Sequence, residues 1–217
     1  MDSNAQTWAA ESQITIDGAA KEIRNPAADG PTQFDVAREA LSAITSGAQT
    51  ACKPNILIRW QGGLFKDDLS KCEVISKNVE STSVALDAIA SYLIDETQAA
   101  AILDSMAQGD NTLDEKKWDD AVANWKKVEE EISALNVSEA FEPTRKELLA
   151  KVGEIQKAWD ELISSHEKKN LAAFAEAKED LKSAHNDLGK ISEKSLSRLA
   201  DLDQGFIAAY ENAFGSN

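Results

Sequence analysis

Apolar residues recur at alternating steps of three and four residues along five stretches of the chain. Because 3.6 residues complete one helical turn, this spacing places them on a single side of an α-helix. The two clearest stripes are Trp118, Ala121, Trp125, Val128, Ile132, Leu135 and Leu148, Val152, Ile155, Trp159, Leu162, His166. Stripes this narrow are buried only if helices pack side by side, so the pattern predicts a helical bundle.

Prolines, glycines and capping residues set the limits of the five predicted helices. Thr112 and Glu115 form a capping box at the start of the third helix, and Pro143 stands in the first turn of the fourth. The predicted helices cover, approximately, residues 33–51, 67–106, 112–136, 143–166 and 171–214. The second and fifth are much the longest, at roughly 60 and 66 Å for a rise of 1.5 Å per residue.

Residues 1–32 lack a clear helical period. Turn-forming groups interrupt them at Asp17-Gly18, Asn25-Pro26 and Asp29-Gly30-Pro31. The sequence therefore predicts an irregular N-terminal arm, followed by a single elongated bundle over residues 33–217.

The lengths of the helices predict how they are arranged. Short connections make the second, third, fourth and fifth predicted helices antiparallel neighbours. The third and fourth helices are about half as long as the second and fifth, so they accompany only part of them. The predicted fold is all-α, an elongated antiparallel helical bundle with four helices at one end and three at the other.

The net charge of −15 is spread along the whole chain. An evenly acidic surface repels phosphate, which argues against binding to nucleic acid or to anionic membranes. No run of 18 apolar residues is present, so we expect no transmembrane segment. The start of the chain also shows no signal peptide, which leaves a cytoplasmic location, a removed leader or another export route open.

The two cysteines, Cys52 and Cys72, stand near the end of the first predicted helix and the start of the second. An antiparallel pair of helices brings these ends together, so we predict a disulfide. It would close a loop of about 20 residues and imply an oxidising compartment. The alternative is two buried thiols in a cytoplasmic protein.

No catalytic or metal-binding constellation is apparent. His166 and His185 are preceded at three residues by Ile163 and Lys182, where a di-iron bundle requires glutamate. There is no nucleophile elbow and no glycine loop for a phosphate. We therefore expect no enzymatic activity, no metal and no cofactor, with both histidines at the edge of the core.

Aromatic residues are expected to gather at the end of the bundle that carries the cysteines. Pairing the second predicted helix with the fifth brings Cys72 close to Phe206, beside an apolar stretch before the second helix. The aromatic residues either close the bundle or form a contact surface for a protein partner. The partner-binding candidates are Trp60, Phe65, Phe206, Tyr210 and Phe214.

Trp60-Gln61-Gly62 lies between the first two predicted helices, and Tyr92 and Glu96 follow four residues apart on the second. Over residues 33–100 this resembles the Trp-x-Gly helical hairpins exported by type VII secretion systems, which carry a Tyr-x-x-x-acid signal. The resemblance implies that Trp60, Gly62, Tyr92 and Glu96 form a composite export signal. Lys53-Pro54-Asn55, the cysteine pair and the second helical half depart from that family.

These features predict a non-enzymatic protein, extracellular or on the cell surface, that acts through protein–protein contacts as a receptor, antigen or secretion substrate does. Trp118, Trp125 and Trp159 are expected to form an aromatic layer in the core. One alternative function is a bundle that binds a small apolar ligand among them. The other is a cytoplasmic coiled-coil scaffold. The sequence leaves open whether the chain forms a homo-oligomer and whether the tripeptide Asn136-Val137-Ser138 is glycosylated.

Overall fold

The computed structural model describes residues 2–27, 29–52, 66–107 and 117–215. This part of the chain contains six α-helices and no β-strand. In chain order they are α1 Asp2–Arg24, α2 Gly30–Ala51, α3 Lys66–Ala107, α4 Trp118–Ala134, α5 Glu142–Glu167 and α6 Leu171–Phe214. The prediction of an all-α helical bundle is confirmed.

The first, second, fourth and fifth predicted helices begin and end within about three residues of the limits that the sequence gave them. Those limits rested on local backbone chemistry. Pro143 occupies the first turn of α5. After α5, Lys169 has φ 54°, in the left-handed region, and the Asn170 side chain accepts a bond from the amide of Ala173. α4 begins at Trp118, and the predicted capping box at Thr112 and Glu115 lies outside the described residues.

The N-terminal segment corrects the sequence prediction, because residues 2–24 form α1 instead of an irregular arm. One side of α1 is buried at helical spacing, through Ala5, Ser12, Ile16, Ala19 and Ile23. Gly18 interrupts this helix only weakly, since a mid-helix glycine costs about 1 kcal/mol. Burial of the apolar side outweighs that cost, and Asn25-Pro26 is the turn signal that does end the helix.

The first of two compact units comprises Met1–Ile94 with Leu199–Asn217. Its core is built from α1, α2, the first part of α3 and the last part of α6. The main core side chains are Ile16, Ile23, Phe34, Leu41, Ile44, Val79, Leu86, Ile89 and Phe206. The predicted three-helix end is therefore wrong for this unit, because α1 supplies a fourth helix.

Hydroxyl side chains tie α3 to its neighbours in the first unit. The hydroxyls of Ser76 and Ser83 donate to the carbonyls of Ala48 and Leu41 on α2, at 2.7 and 2.9 Å. The partner number on α2 falls as the number on α3 rises, so these two helices are antiparallel. Toward α6, Thr82 donates to the carbonyl of Ala209 at 3.0 Å. Side chains this small allow close approach of the helix backbones.

The second unit, Asp95–Arg198, contains the end of α3, all of α4 and α5, and the first part of α6. The apolar stripes predicted for α4 and α5 are buried, with Trp118 and His166 at their partly or fully exposed ends. On α6 the apolar residues Phe174, Leu181 and Leu188, which recur every seven residues in the sequence, are half-buried. The deepest positions of α6 lie three residues further on, at Ala177, Ala184 and Ile191.

Ion pairs link α5 to α6 in the second unit and show that these helices are antiparallel. Glu147 binds Arg198 at 2.7 Å and Lys194 at 3.3 Å, and Lys151 binds Asp187 at 3.2 Å. The bond from Arg198 is the main reason that the pKa of Glu147 lies below its ordinary value of 4.5. Bonds from Lys190 and then Lys151 lower the pKa of Asp187.

Acid is expected to destabilise the second unit, because protonation of Glu147 and Asp187 removes these ion pairs. A carboxylate with a lowered folded-state pKa adds stability above its unfolded pKa, and this is lost as the pH falls through the folded value. The free energy of unfolding should therefore decline below about pH 4.5, and Glu147→Gln should cost roughly 0.5 kcal/mol at pH 7 but much less at pH 3. Urea unfolding from pH 3 to 7 measures both.

A matched control for the acid experiment is Glu130→Gln on α4. Within the described part of the chain, the structure shows no ion pair for Glu130. Its substitution should lower stability by a similar, near-zero amount at both pH values. Equal pH dependence of the Glu147→Gln variant and the unsubstituted protein would contradict a stabilising role for the Glu147–Arg198 pair.

Candidate protein-contact surface

The predicted disulfide is present. Cys52 follows the last residue of α2 and bonds to Cys72 on α3, with an S–S distance of 2.03 Å and Cα atoms 5.7 Å apart. Cys72 is buried and Cys52 is half-buried. The bond therefore joins α2 to α3 beside the Ser76–Ala48 hydrogen bond.

Three aromatic candidates lie in a row along α6. The ring centroids of Phe206 and Tyr210 are 5.9 Å apart, and those of Tyr210 and Phe214 are 5.1 Å apart. Phe206 is only 5% exposed and belongs to the core of the first unit, while Tyr210 and Phe214 are half-buried against the same core. Phe206 therefore packs in the core, which agrees with the alternative that the aromatic residues close the bundle.

Helix α1, which the sequence did not predict, contacts Tyr210 and Phe206. The amide of Gln13 donates to the hydroxyl of Tyr210 at 3.1 Å. The Arg24 guanidinium lies over the Phe206 ring, 5.5 Å from its centroid. The two other candidates, Trp60 and Phe65, lie outside the described residues.

A groove runs between α1 and α6 in the first unit. We call it the α1–α6 groove; it has a volume of about 520 Å³. It is lined by Asp17, Ala20, Lys21, Arg24, Asn25, Phe206, Ile207, Tyr210 and Glu211. Ile207 is 39% exposed there, and Ile14 is 73% exposed seven residues before Lys21 on the same side of α1. Exposed apolar side chains inside a charged rim are typical of a protein-contact surface.

The rim of this groove carries charges of both signs. Arg24 forms an ion pair with Asp203 at 3.5 Å. Within the described residues, the structure shows no ion pair for Asp17, Lys21 or Glu211. These three charges are therefore available to a molecule that lies in the groove. Sequence reasoning missed the α1–α6 groove because it did not predict α1.

Only Tyr92 and Glu96 of the suggested export signal lie in the described part of the chain, four residues apart on α3. Tyr92 is 0% exposed and lies in the first unit, so a receptor cannot reach its ring in the folded chain. Glu96 is half-buried in the second unit, and Trp60 and Gly62 lie outside the described residues. The type VII resemblance stays a prediction.

The tryptophans are engaged in packing within the second unit, as expected for an aromatic core layer and not for the alternative of a ligand pocket. Trp125 is 3% exposed and meets the His185 ring edge-on at 5.5 Å. Trp118 meets His166 edge-on at 5.1 Å and lies 6.0 Å from Phe174. The sequence pattern gave no indication of these tryptophan–histidine contacts.

A small cavity lies elsewhere in the second unit, where α3, α5 and α6 meet. Its volume is about 80 Å³, far below the roughly 300–1,000 Å³ of ordinary ligand sites. It is lined by Glu96, Ala99, Ala100, Leu103, Phe141, Thr144, Leu148, Leu188, Ile191, Ser192 and Ser195. The cavity therefore gives little support to the alternative of a bound apolar ligand.

The tripeptide Asn136-Val137-Ser138 lies in the connection between α4 and α5. Asn136 is exposed. The backbone amide and the hydroxyl of Ser138 both donate to the buried Asp95 carboxylate, at 2.8 and 2.6 Å. The serine thus has a structural role, anchoring this connection to α3.

Within the described residues, no three His, Cys, Asp or Glu side chains come close enough together to hold a metal ion. The same residues include no helix with the length and hydrophobicity needed to span a bilayer. No family model, curated protein or solved structure matches the chain.

Proposed function

We propose that this chain is a non-enzymatic helical protein, exported or exposed at the cell surface, that works through contacts with other protein molecules. The observation that carries the proposal is the Cys52–Cys72 disulfide. Disulfides persist in oxidising compartments and are rare in the reducing cytoplasm. The bond therefore favours an extracellular location over the alternative of a cytoplasmic scaffold.

The α1–α6 groove supports a role in protein contacts. Tyrosine and arginine are enriched where proteins meet, and here Tyr210 and Arg24 flank the partly exposed Ile207. The charged rim can set the orientation of a partner, while the apolar floor provides surface to bury. We assign this groove as the contact surface and assign no catalytic residue.

The state of the two cysteines in the living cell tests the compartment. Cells that produce the chain are quenched in acid and unfolded, and free thiols are blocked with one alkylating reagent. After reduction, a second reagent of different mass labels the thiols that had been in the disulfide. We expect Cys52 and Cys72 to carry only the second label, in protein recovered from the medium or cell surface.

A cytoplasmic protein from the same cells serves as the control, because its thiols should take the first label. If Cys52 and Cys72 also carry the first label, the proposal of an exported protein fails. That outcome would favour the cytoplasmic scaffold.

A further inference from the structure

We infer that the α1–α6 groove is a self-association surface, in which a second copy of the chain packs its own groove against the first about a two-fold axis. The inference rests on the proposed function only in treating this groove as a contact surface. It does not depend on the compartment in which the protein works. Its basis is the arrangement of apolar and charged side chains along the groove.

The register of the two helices places Ile207 near the middle of the groove. Gln13 contacts Tyr210 and Arg24 contacts Asp203, so α1 and α6 are antiparallel. Ile207 falls between those two contacts, beside the turn of α1 that carries Asp17 and Lys21. The groove therefore has an apolar centre with charges along its length.

Two-fold symmetry makes the charges on α1 complementary to themselves. Asp17 and Lys21 are four residues apart, so they share one side of the helix. If α1 of the second copy lies antiparallel about the midpoint of this pair, each Asp17 faces Lys21 of the other copy. In an isologous contact, residue i meets residue j and j meets i, so this ion pair forms twice.

The same rotation places the middle of α6 opposite its own counterpart, because the axis crosses the groove at right angles to both helices. Ile207 lies near the axis, where it meets its own counterpart and both side chains lose their remaining exposure to water.

A second copy fits this groove better than a partner of one charge sign. A basic segment would meet Lys21 and Arg24, whereas an acidic segment would meet Asp17 and Glu211. The net charge of −15 on each copy opposes association at long range. The equilibrium is therefore best measured at about 0.15 M salt, where the Debye length is only about 8 Å.

Charge reversal tests the inference by sedimentation velocity of the full chain over a range of concentrations. The unsubstituted protein should show a monomer–dimer equilibrium. Asp17→Lys alone and Lys21→Asp alone should each weaken dimerisation by about tenfold or more, because like charges then face each other at two symmetric contacts. Ile207→Ala should also weaken it, by removing the apolar centre.

The decisive measurement is an equimolar mixture of the Asp17→Lys and Lys21→Asp variants. One copy then carries lysine at both positions and the other carries aspartate at both, so every facing pair is again opposite in charge. We expect a heterodimer with close to the original affinity, identified by native mass spectrometry. A merely misfolded variant could not produce this rescue, and circular dichroism of each variant checks its helical content.

Substitutions on α4 in the second unit control for net charge. Asp119→Lys and Lys126→Asp change the charge by the same amounts at exposed positions outside the groove. They should leave the dimerisation constant within about twofold. A monomer at all concentrations, unaffected groove variants, or a mixture without heterodimer would each overturn the inference. The thiol-labelling result would stand in any of these cases.

Discussion

Replacing Trp125 by alanine is expected to lower the free energy of unfolding of the second unit by about 3–5 kcal/mol. The Trp125 side chain is 3% exposed and packs edge-on against His185 at 5.5 Å. Removing the indole leaves a cavity whose rigid helical walls can relax only in part. Urea unfolding followed by circular dichroism measures the loss, and hydrogen exchange in α4 and α5, which lie wholly in the second unit, shows that it lies there.

Asn124→Ala is the matched control for Trp125→Ala. Asn124 is exposed on the same helix, so its substitution should change stability by no more than about 0.5 kcal/mol. If Trp125→Ala costs less than about 1 kcal/mol, the packing described for Trp125 is wrong. That result would renew interest in an apolar-ligand site among the tryptophans.

Reducing the Cys52–Cys72 disulfide is expected to lower the free energy of unfolding of the first unit by roughly 3 kcal/mol. The bond joins residues 20 apart in sequence and limits the freedom of the unfolded chain. Hydrogen exchange with and without reductant should show faster exchange in α2 and in the first part of α3. The helices of the second unit should exchange at an unchanged rate.

The double variant Cys52→Ala with Cys72→Ala separates loss of the bond from side effects of the reductant. It should match the reduced protein in stability and should not respond to reductant. If reduction leaves exchange in α2 unchanged, the disulfide contributes nothing measurable to the stability of the first unit.

The helices that the sequence predicted well have local causes. The start and end of α5 and the start of α6 follow from Pro143, from the left-handed Lys169 and from the Asn170 cap, all of which act within a few residues. The disulfide was predictable for a related reason. Antiparallel packing of the first two predicted helices brings the end of one to the start of the other, where Cys52 and Cys72 stand.

The candidate surface could be predicted only in part. Tyr210 and Arg24 both line the groove, but only Tyr210 was singled out, because α1 was expected to be irregular. The sequence left open whether Phe206 closes the bundle or contacts a partner, and the burial of Tyr92 was not foreseen. Both points concern which distant segment covers a side chain, and no local pattern contains that information.

The amino-acid order alone determined the all-α class, the limits of most helices and the cysteine pairing, because each depends on residues close along the chain. Tertiary structure alone decided that residues 2–24 are helical, that the first unit has four helices, and that α1 and α6 border a groove. The contact between Gln13 and Tyr210 joins residues 197 apart. The free energy that makes α1 a helix comes from burying its apolar side against such distant partners.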